Sequence, residues 1–496
     1  MRLLYLDIDT TRADHLGCYG YPRRTTPNLD KIADQGLRLD NCYVSDAPCL
    51  PSRASMFTGQ FGIHSGVVGH GGTAADLRIL GAEREFRCDS RQTSFIEALR
   101  KAGFYPVSFS PFAERHSAWW FYSGWREMYN TGRSGMENGE EVVPQALKWI
   151  EAHGKRDNWL LHINLWDPHT PYRAPADFGA PFANEPLAGW YTEELRRRQW
   201  DNFGPGSPQE PAGALGGAHH RGYPRVPFQI ASMQDYKQWI DGYDCGILYA
   251  DLWCGRVLDA LARQGVLDET IVIVTSDHGE AQGELSVIGD HATADQSVSR
   301  VPMLIRWPGL TQPGAVDTAL HYQTDVAATV IASAGGTVPA HWDGQSFPLA
   351  LGAPASRRPA PEGSEGKGRD YLVVSQCAWS CQRAARWGDY IFIRSYHTGL
   401  INYPLRMLFN LASDPHELHD LAGSQPQLAD HGQALIEEWT AAMLRTGRSG
   451  LDPLWTVMHE GGPYHTRGAL ASYCQRLRAT GRARHAEFLE AHPAGV

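Results

Sequence analysis

The sequence predicts a layered α/β fold, and three observations predict it. Thr270-Ile-Val-Ile-Val-Thr275 is a continuous β-branched run, as expected for a parallel strand covered on both faces. Tyr236, Ile240, Tyr243, Ile247, Leu252, Val257 and Leu261 recur at mostly three to five residues, which predicts a helix over 234–264. Short apolar segments alternate with helical ones from the N-terminus onward.

Taken in order, residues 2–9 form the first strand and stop at a polar loop. Residues 92–103 read as a helix ending at Gly103. Residues 158–165 are a second buried strand, and 301–306 another after the run at 270–275. Composition changes at 352–369, a Pro-, Gly- and charge-rich stretch that reads as a surface loop or linker. Strand-like pieces at 371–374, 390–394 and 406–410 and a helix at about 425–446 follow. This divides the chain into a larger α/β domain over 1–365, which the site residues below make the catalytic one, and a smaller C-terminal α+β subdomain with a helical tail over 366–496.

The chain of 496 residues is 42% hydrophobic and 20% charged, which excludes wholesale disorder. No apolar run approaches 20 residues, so the sequence predicts neither a transmembrane helix nor a membrane partner. The net charge of -10 argues against nucleic acid as a partner, while leaving room for an anionic substrate in a locally positive pocket. Nine widely spaced cysteines without a CxxC pair read as buried thiols, Cys377 and Cys381 included. The N-terminus opens directly into a strand, with no signal sequence before it, which predicts a cytoplasmic placement. A homo-oligomer is open.

Polar residues follow three strands at once: Asp7 and Asp9, Asp167 and His169, and Asp277 and His278. Ligands of open α/β sheets bind outside the carboxyl ends of the strands, so these groups are positioned to converge. Asp277 and His278 suit a divalent cation, against an Asx-type turn with a surface histidine. Alternation puts Asp7 and Asp9 on one face, a costly pair unless a cation lies between them. The other reading is one helix cap plus one salt-bridged carboxylate.

Cys49-Leu-Pro-Ser-Arg-Ala-Ser-Met-Phe-Thr-Gly59 decides among these readings. Cys-x-Pro-Ser-Arg followed by Ala-Ser-x-x-Thr-Gly resembles the signature of the type I, formylglycine-dependent sulfatases of the alkaline phosphatase superfamily. Asp9–Tyr21, Thr26–Asp30, Trp166–Tyr172, Ser276–Gly279, Arg300–Gly309 and Leu408–Glu417 resemble further segments of that family, in its order, over about residues 1–445. The resemblance implies an alkaline-phosphatase-like core with a mostly parallel sheet. It implies hydrolysis of a sulfate ester through formylglycine made from Cys49 by a formylglycine-generating enzyme. A cation-bound hydrated aldehyde loses a proton more easily than a lone alcohol, and its second hydroxyl lets the sulfated form break down by elimination. Arg53 would hold that group. By the same resemblance Asp9, Asp277, His278 and the modified Cys49 hold the metal, with Asp7 a further ligand. Ca²⁺ is favoured by the oxygen ligands, with Mn²⁺ or Mg²⁺ as alternatives. His169 matches a histidine at the sulfate or leaving-group oxygen.

The chain departs from the family pattern twice. A Gly-Lys-Trp-His segment is replaced by Ser108–His116, where Arg115 or His116 is the candidate substitute. Near 290 a sulfate-binding lysine is replaced by His291, which takes the role of substrate contact. His64 reads as packing, His70 as a residue of a Gly-rich turn able to face the pocket, Trp119–Tyr122 as a partly buried lid rather than a sugar-stacking wall, and 203–227 as either disordered or substrate-covering.

The substrate predicted is a small sulfated carbohydrate. The alternatives are a phosphonate or phosphate monoester hydrolase, an N-sulfoglucosamine sulfohydrolase, and a non-catalytic binder of a sulfated ligand.

Overall fold

The computed structural model describes residues 1–79, 85–86, 94–213, 223–349 and 368–493. The predicted linker therefore lies outside the described residues over 352–367, as do Cys88 and His219-His220-Arg221. The other eight cysteines are unpaired thiols.

The first strand, Arg2–Ile8, is the centre of the molecule. It pairs in parallel with Trp159–Leu165 on one side and Thr270–Thr275 on the other. Tyr105–Phe109 and Glu127–Tyr129 continue the sheet in parallel beyond the former. Beyond the latter, Met303–Arg306 runs antiparallel and leads to Leu37–Tyr43, which also pairs with Arg300–Val301 and Ala315–Tyr322. The strand predicted over 301–306 is thus split at Pro302, which has no N–H to give a ladder.

Alternation along the first strand explains why both faces are covered. Leu3 and Tyr5 join a buried cluster with Phe57, Phe95, Ile273 and Val326. Leu4, Leu6 and Ile8 join another with Trp149, Val257 and Leu261 on the opposite face. The predicted long helix spans Met233–Arg263, opened by a capping box between Ser232 and Asp235. Of the helix predicted over 92–103, the described part runs Phe95–Lys101, capped by Ser94.

The C-terminal section is an antiparallel meander of Tyr371–Gln376, Cys381–Trp387, Tyr390–His397 and Arg406–Asn410. Its edge is extended in parallel by Asp46–Ala47, the residues just before Cys49. The small sheet therefore braces the segment that delivers Cys49. Cys381–Trp387 is not among the predicted strands; its polar and small residues hide the period. Pro426–Thr446 is the helix predicted at 425–446.

The tail folds back on the catalytic section. Buried Glu210 accepts from Arg482 and, at 2.8 Å, from Arg476, and its other oxygen accepts from Ser207 and Tyr473. These contacts tie the stretch 203–213 to Leu470–Ala479 and the turn after it. Removing one partner of a buried pair leaves a charge without compensation. Glu210→Ala is predicted to cost about 3–5 kcal/mol, read as a fall in the guanidinium unfolding midpoint; an unchanged midpoint would contradict the tether.

Candidate active site

The three polar strand ends lie side by side because their strands are neighbours in parallel register. Asp7 is level with Asn164 and with Thr275. Asp9 and the pair Asp277-His278 therefore leave the sheet together. Thr10 holds them in place from a left-handed backbone conformation, φ 59°, which is strained for a β-branched residue. Its N–H donates to Asp277 Oδ1 at 3.1 Å, and its hydroxyl donates to Asp9.

Cys49 begins the helix Cys49–Thr58 and is buried. Its Sγ lies 3.0 Å from His278 Nε2. Ligand atoms of Asp9, Cys49, Asp277 and His278 all fall within 4.8 Å of one another. One turn along the helix, Arg53 reaches the same carboxylates. Its Nε donates to Asp7 at 2.9 Å, its Nη2 to the other Asp7 oxygen at 3.1 Å, and its Nη1 meets Asp277 and, at 2.9 Å, Asp9. Phe112 and Trp166 rings lie 5.0 and 5.2 Å from the guanidinium.

Three buried carboxylates thus face one buried guanidinium. Burial, with Asp9 and Asp7 nearby, raises the Asp277 carboxyl well above its ordinary range despite Arg53. Asp9 is held well below its range: burial opposes ionisation, but Arg53, His169, His278 and the Thr10 hydroxyl together outweigh it. Asp9 Oδ2 makes the ion pair with Arg53 Nη1 and no other polar contact of hydrogen-bond geometry. His278 donates from Nδ1 to the Gly279 carbonyl at 2.7 Å, which leaves the Nε2 lone pair facing Cys49. Three buried carboxylates against one guanidinium and an imidazole fixed in the ligating tautomer fit a divalent cation. Burial, then Asp9 and Asp277, pushes the Cys49 thiol well above its usual range.

Asp7 stands apart from the four clustered ligands. Its carboxylate is occupied by Arg53, with His162 Nε2 3.7 Å away. His162, inside a strand that reads as apolar, gave no signal in the sequence. Asp167 also turns away, accepting from the Gly139 N–H at 3.0 Å.

The substrate cleft, about 630 Å³, is lined by Cys49, Arg115, His116, His169 and His291 among others. Cys49, His169 and His291 bring one ligand atom each within 4.8 Å of one another, so these three do converge. His169 donates from Nδ1 to the Thr170 carbonyl at 2.6 Å, and its Nε2 faces Arg115 Nη2 at 3.4 Å. Burial, then the Arg115 charge, lowers it to about 3, so in the free protein it is a neutral acceptor. Arg115 also lies 4.9 Å from the Trp166 ring. His116 lines the cleft with Nε2 unpartnered. His70 lines it too, and joins His465 across 2.8 Å. His465 and Trp379 are wall residues that the sequence reading missed, because neither falls within a recognisable motif.

The features read as structural are so placed. His64 bonds Asp343 at 2.8 Å and the Met443 carbonyl at 2.8 Å. Phe121 packs on Phe57, Phe112 and Trp125, and the four aromatics Trp119–Tyr122 are not among the cleft's lining residues.

The sulfatase family model matches residues 2–336, two thirds of the chain. The chain belongs to the sulfatase family. It is a sulfuric ester hydrolase with the alkaline-phosphatase-like fold. An N-acetylglucosamine-6-O-sulfatase of Bacteroides thetaiotaomicron is 22% identical, over 85% of this chain and 82% of its own. A multifunctional alkaline phosphatase superfamily protein of Trinickia caryophylli is 24% identical, over 81% and 86%. Among solved structures, a protein in complex with its substrate D-glucosamine-2-N,6-O-disulfate superposes with a TM-score of 0.67 at 20% identity, covering 89% of this chain and 98% of that one. A phosphonate monoester hydrolase of Silicibacter pomeroyi gives 0.65 at 20% identity, over 90% and 96%.

Asp7 and Asp277 make a discriminating pair of variants. Asp277→Asn is predicted to abolish stoichiometric uptake of Ca²⁺ or Mn²⁺ in equilibrium dialysis. Asp7→Asn is predicted to keep one cation bound while lowering kcat, because it loosens Arg53. Loss of the cation in Asp7→Asn would make Asp7 a ligand.

Proposed function

We propose that this sulfatase hydrolyses the sulfate ester of a small carbohydrate, using formylglycine made from Cys49 by a formylglycine-generating enzyme. The observation that carries the reading is the single buried cluster of Asp9, Cys49, Asp277 and His278, held together by Arg53. Asp9, Asp277 and His278 would hold a divalent cation, Ca²⁺ first and Mn²⁺ or Mg²⁺ as alternatives. With the modified residue, that cation supplies a nucleophilic oxygen of lowered pKa.

The chain's own groups do the rest. Arg53 fixes the carboxylates and neutralises charge beside the reacting atom. Arg115 and His291 face the oxyanion from the cleft side. His169 Nε2 is aimed at the same space and takes part once it gains a proton, which an incoming sulfate ester anion favours. His116 is available at the cleft wall.

The carbohydrate assignment is supported by the N-acetylglucosamine-6-O-sulfatase among the relatives and by the glucosamine disulfate bound in a protein of the same fold. A phosphonate or phosphate monoester is the second reading. It is favoured by an imidazole in the cation site and by the likeness to a phosphonate monoester hydrolase.

Side-by-side kcat/KM values on sulfate, phosphate and phosphonate monoesters of one alcohol separate the readings. The sulfate ester is predicted to be fastest. Cys49→Ala is predicted to lower all rates by roughly 10³-fold or more, and chelation to abolish them reversibly. A faster phosphonate ester would select the second reading, and full activity in Cys49→Ala would contradict both.

A further inference from the structure

One wall of the cleft is built by residues outside the recognisable motifs. Trp379 belongs to the turn between Tyr371–Gln376 and Cys381–Trp387, and Tyr464 and His465 follow the helix Pro453–His459. His465 stacks on Trp379 with centroids 4.3 Å apart and planes 19° apart. Its backbone N–H donates to the Ala378 carbonyl at 3.0 Å, and its Nε2 meets His70 Nδ1 at 2.8 Å. His70 Nε2 in turn faces the Leu50 N–H at 3.4 Å, next to Cys49.

The tail is fitted to this place. A Cβ at Gly71 would lie 2.2 Å from the Tyr464 ring, so the turn at 69–72 must be glycine-rich for the tail to approach. Beneath it Val68, Ala74, Cys377, Cys381, Leu454 and Val457 form one buried apolar cluster. The turn carrying Trp379 is fixed to the His291 segment: Gln376 donates to the His291 carbonyl and Ser380 to that of Ala292.

The wall also offers polar groups that have no partner inside the protein. Trp379 Nε1–H has no acceptor, and Asp290 Oδ2, on a carboxylate about 98% buried, has no donor. Both residues line the cleft. A buried polar group without a partner is costly unless a ligand supplies one. Arg115 is the only Arg or Lys among the described lining residues, and it lies at the floor beside His169. The carboxylates of the lining are Asp76 and Asp290.

We infer that the Trp379–His465 wall, with Asp290 beside His291, is the recognition surface for the alcohol half of the substrate, and that it selects an uncharged, hydroxyl-bearing ring over an anionic one. The ring packs its face on the aromatic pair. One of its oxygens accepts from the indole N–H, and one hydroxyl donates to Asp290. A carboxylate on the ring would face Asp76 and Asp290, with no Arg or Lys among the described lining residues except Arg115, which the sulfate uses. This rests on the sulfate ester reading above and names its substrate class: a monosulfated neutral sugar rather than a sulfated uronate.

Calorimetry on Ca²⁺-loaded Cys49→Ala protein tests this without turnover. The probes are inorganic sulfate, a methyl glucoside 2-sulfate and the matching methyl glucuronide 2-sulfate, which differ only at one carbon. The glucoside ester is predicted to bind about tenfold or more tighter than the glucuronide. Adding Trp379→Ala or His465→Ala is predicted to weaken the glucoside ester by about tenfold while inorganic sulfate changes less than about twofold. Trp379→Phe, which keeps the ring face, is predicted to recover part of the loss. Equal binding of the two esters, or an undiminished glucoside affinity in Trp379→Ala, would overturn the inference with sulfate binding intact. Failure of inorganic sulfate to bind would instead overturn the sulfate ester reading and this inference with it.

Discussion

The site depends on one guanidinium. Arg53 is buried among Asp7, Asp9 and Asp277, three acids that could not share the end of a sheet without it. Each of those acids leaves a strand of the same parallel trio or follows it directly, so the sheet brings the charges together and the arginine makes the gathering tolerable. Because Arg53 sits one helical turn after Cys49, the same contact sets where the helix Cys49–Thr58 begins. Phe112 and Trp166 close over the guanidinium and keep water from competing for it.

That constraint leaves a surplus of negative charge, and the surplus gives the site its chemistry. Asp277 resists ionisation, and the His278 tautomer is fixed with a lone pair aimed inward. A divalent cation would resolve both at once. On the cleft side the balance is reversed: histidines and Arg115 line the space proposed for the oxyanion, and the tail adds an aromatic wall with no Arg or Lys among its described lining residues. The two halves of the cleft are therefore suited to the two halves of an ester.

The sequence was legible where strands were uniform and motifs dense. The β-branched run at 270–275, the helical period of 234–264 and the polar residues after each strand give the central sheet and the direction in which its ligands lie. Cys49 and Arg53 came from a local motif, and the structure sets them beside Asp9, Asp277 and His278. The role of Asp7 was less legible, because alternation reports which face a residue shares and not which partner occupies it. Pro302 splits a strand that composition alone would run through. His162, Trp379 and His465 were invisible for a different reason. Their positions follow from pairings with residues 54 to 395 positions away, and no short-range pattern encodes those.

The central claim is that Cys49, clustered with Asp9, Asp277 and His278 at the start of its helix, is the precursor of the nucleophile. The most direct measurement is the mass of the tryptic peptide 39–53 from protein purified out of its native host. The peptide holds Cys42 as an internal control. Formylglycine at 49 with an intact thiol at 42 is the result the account predicts. An unmodified Cys49 in protein that is active on sulfate esters would contradict it.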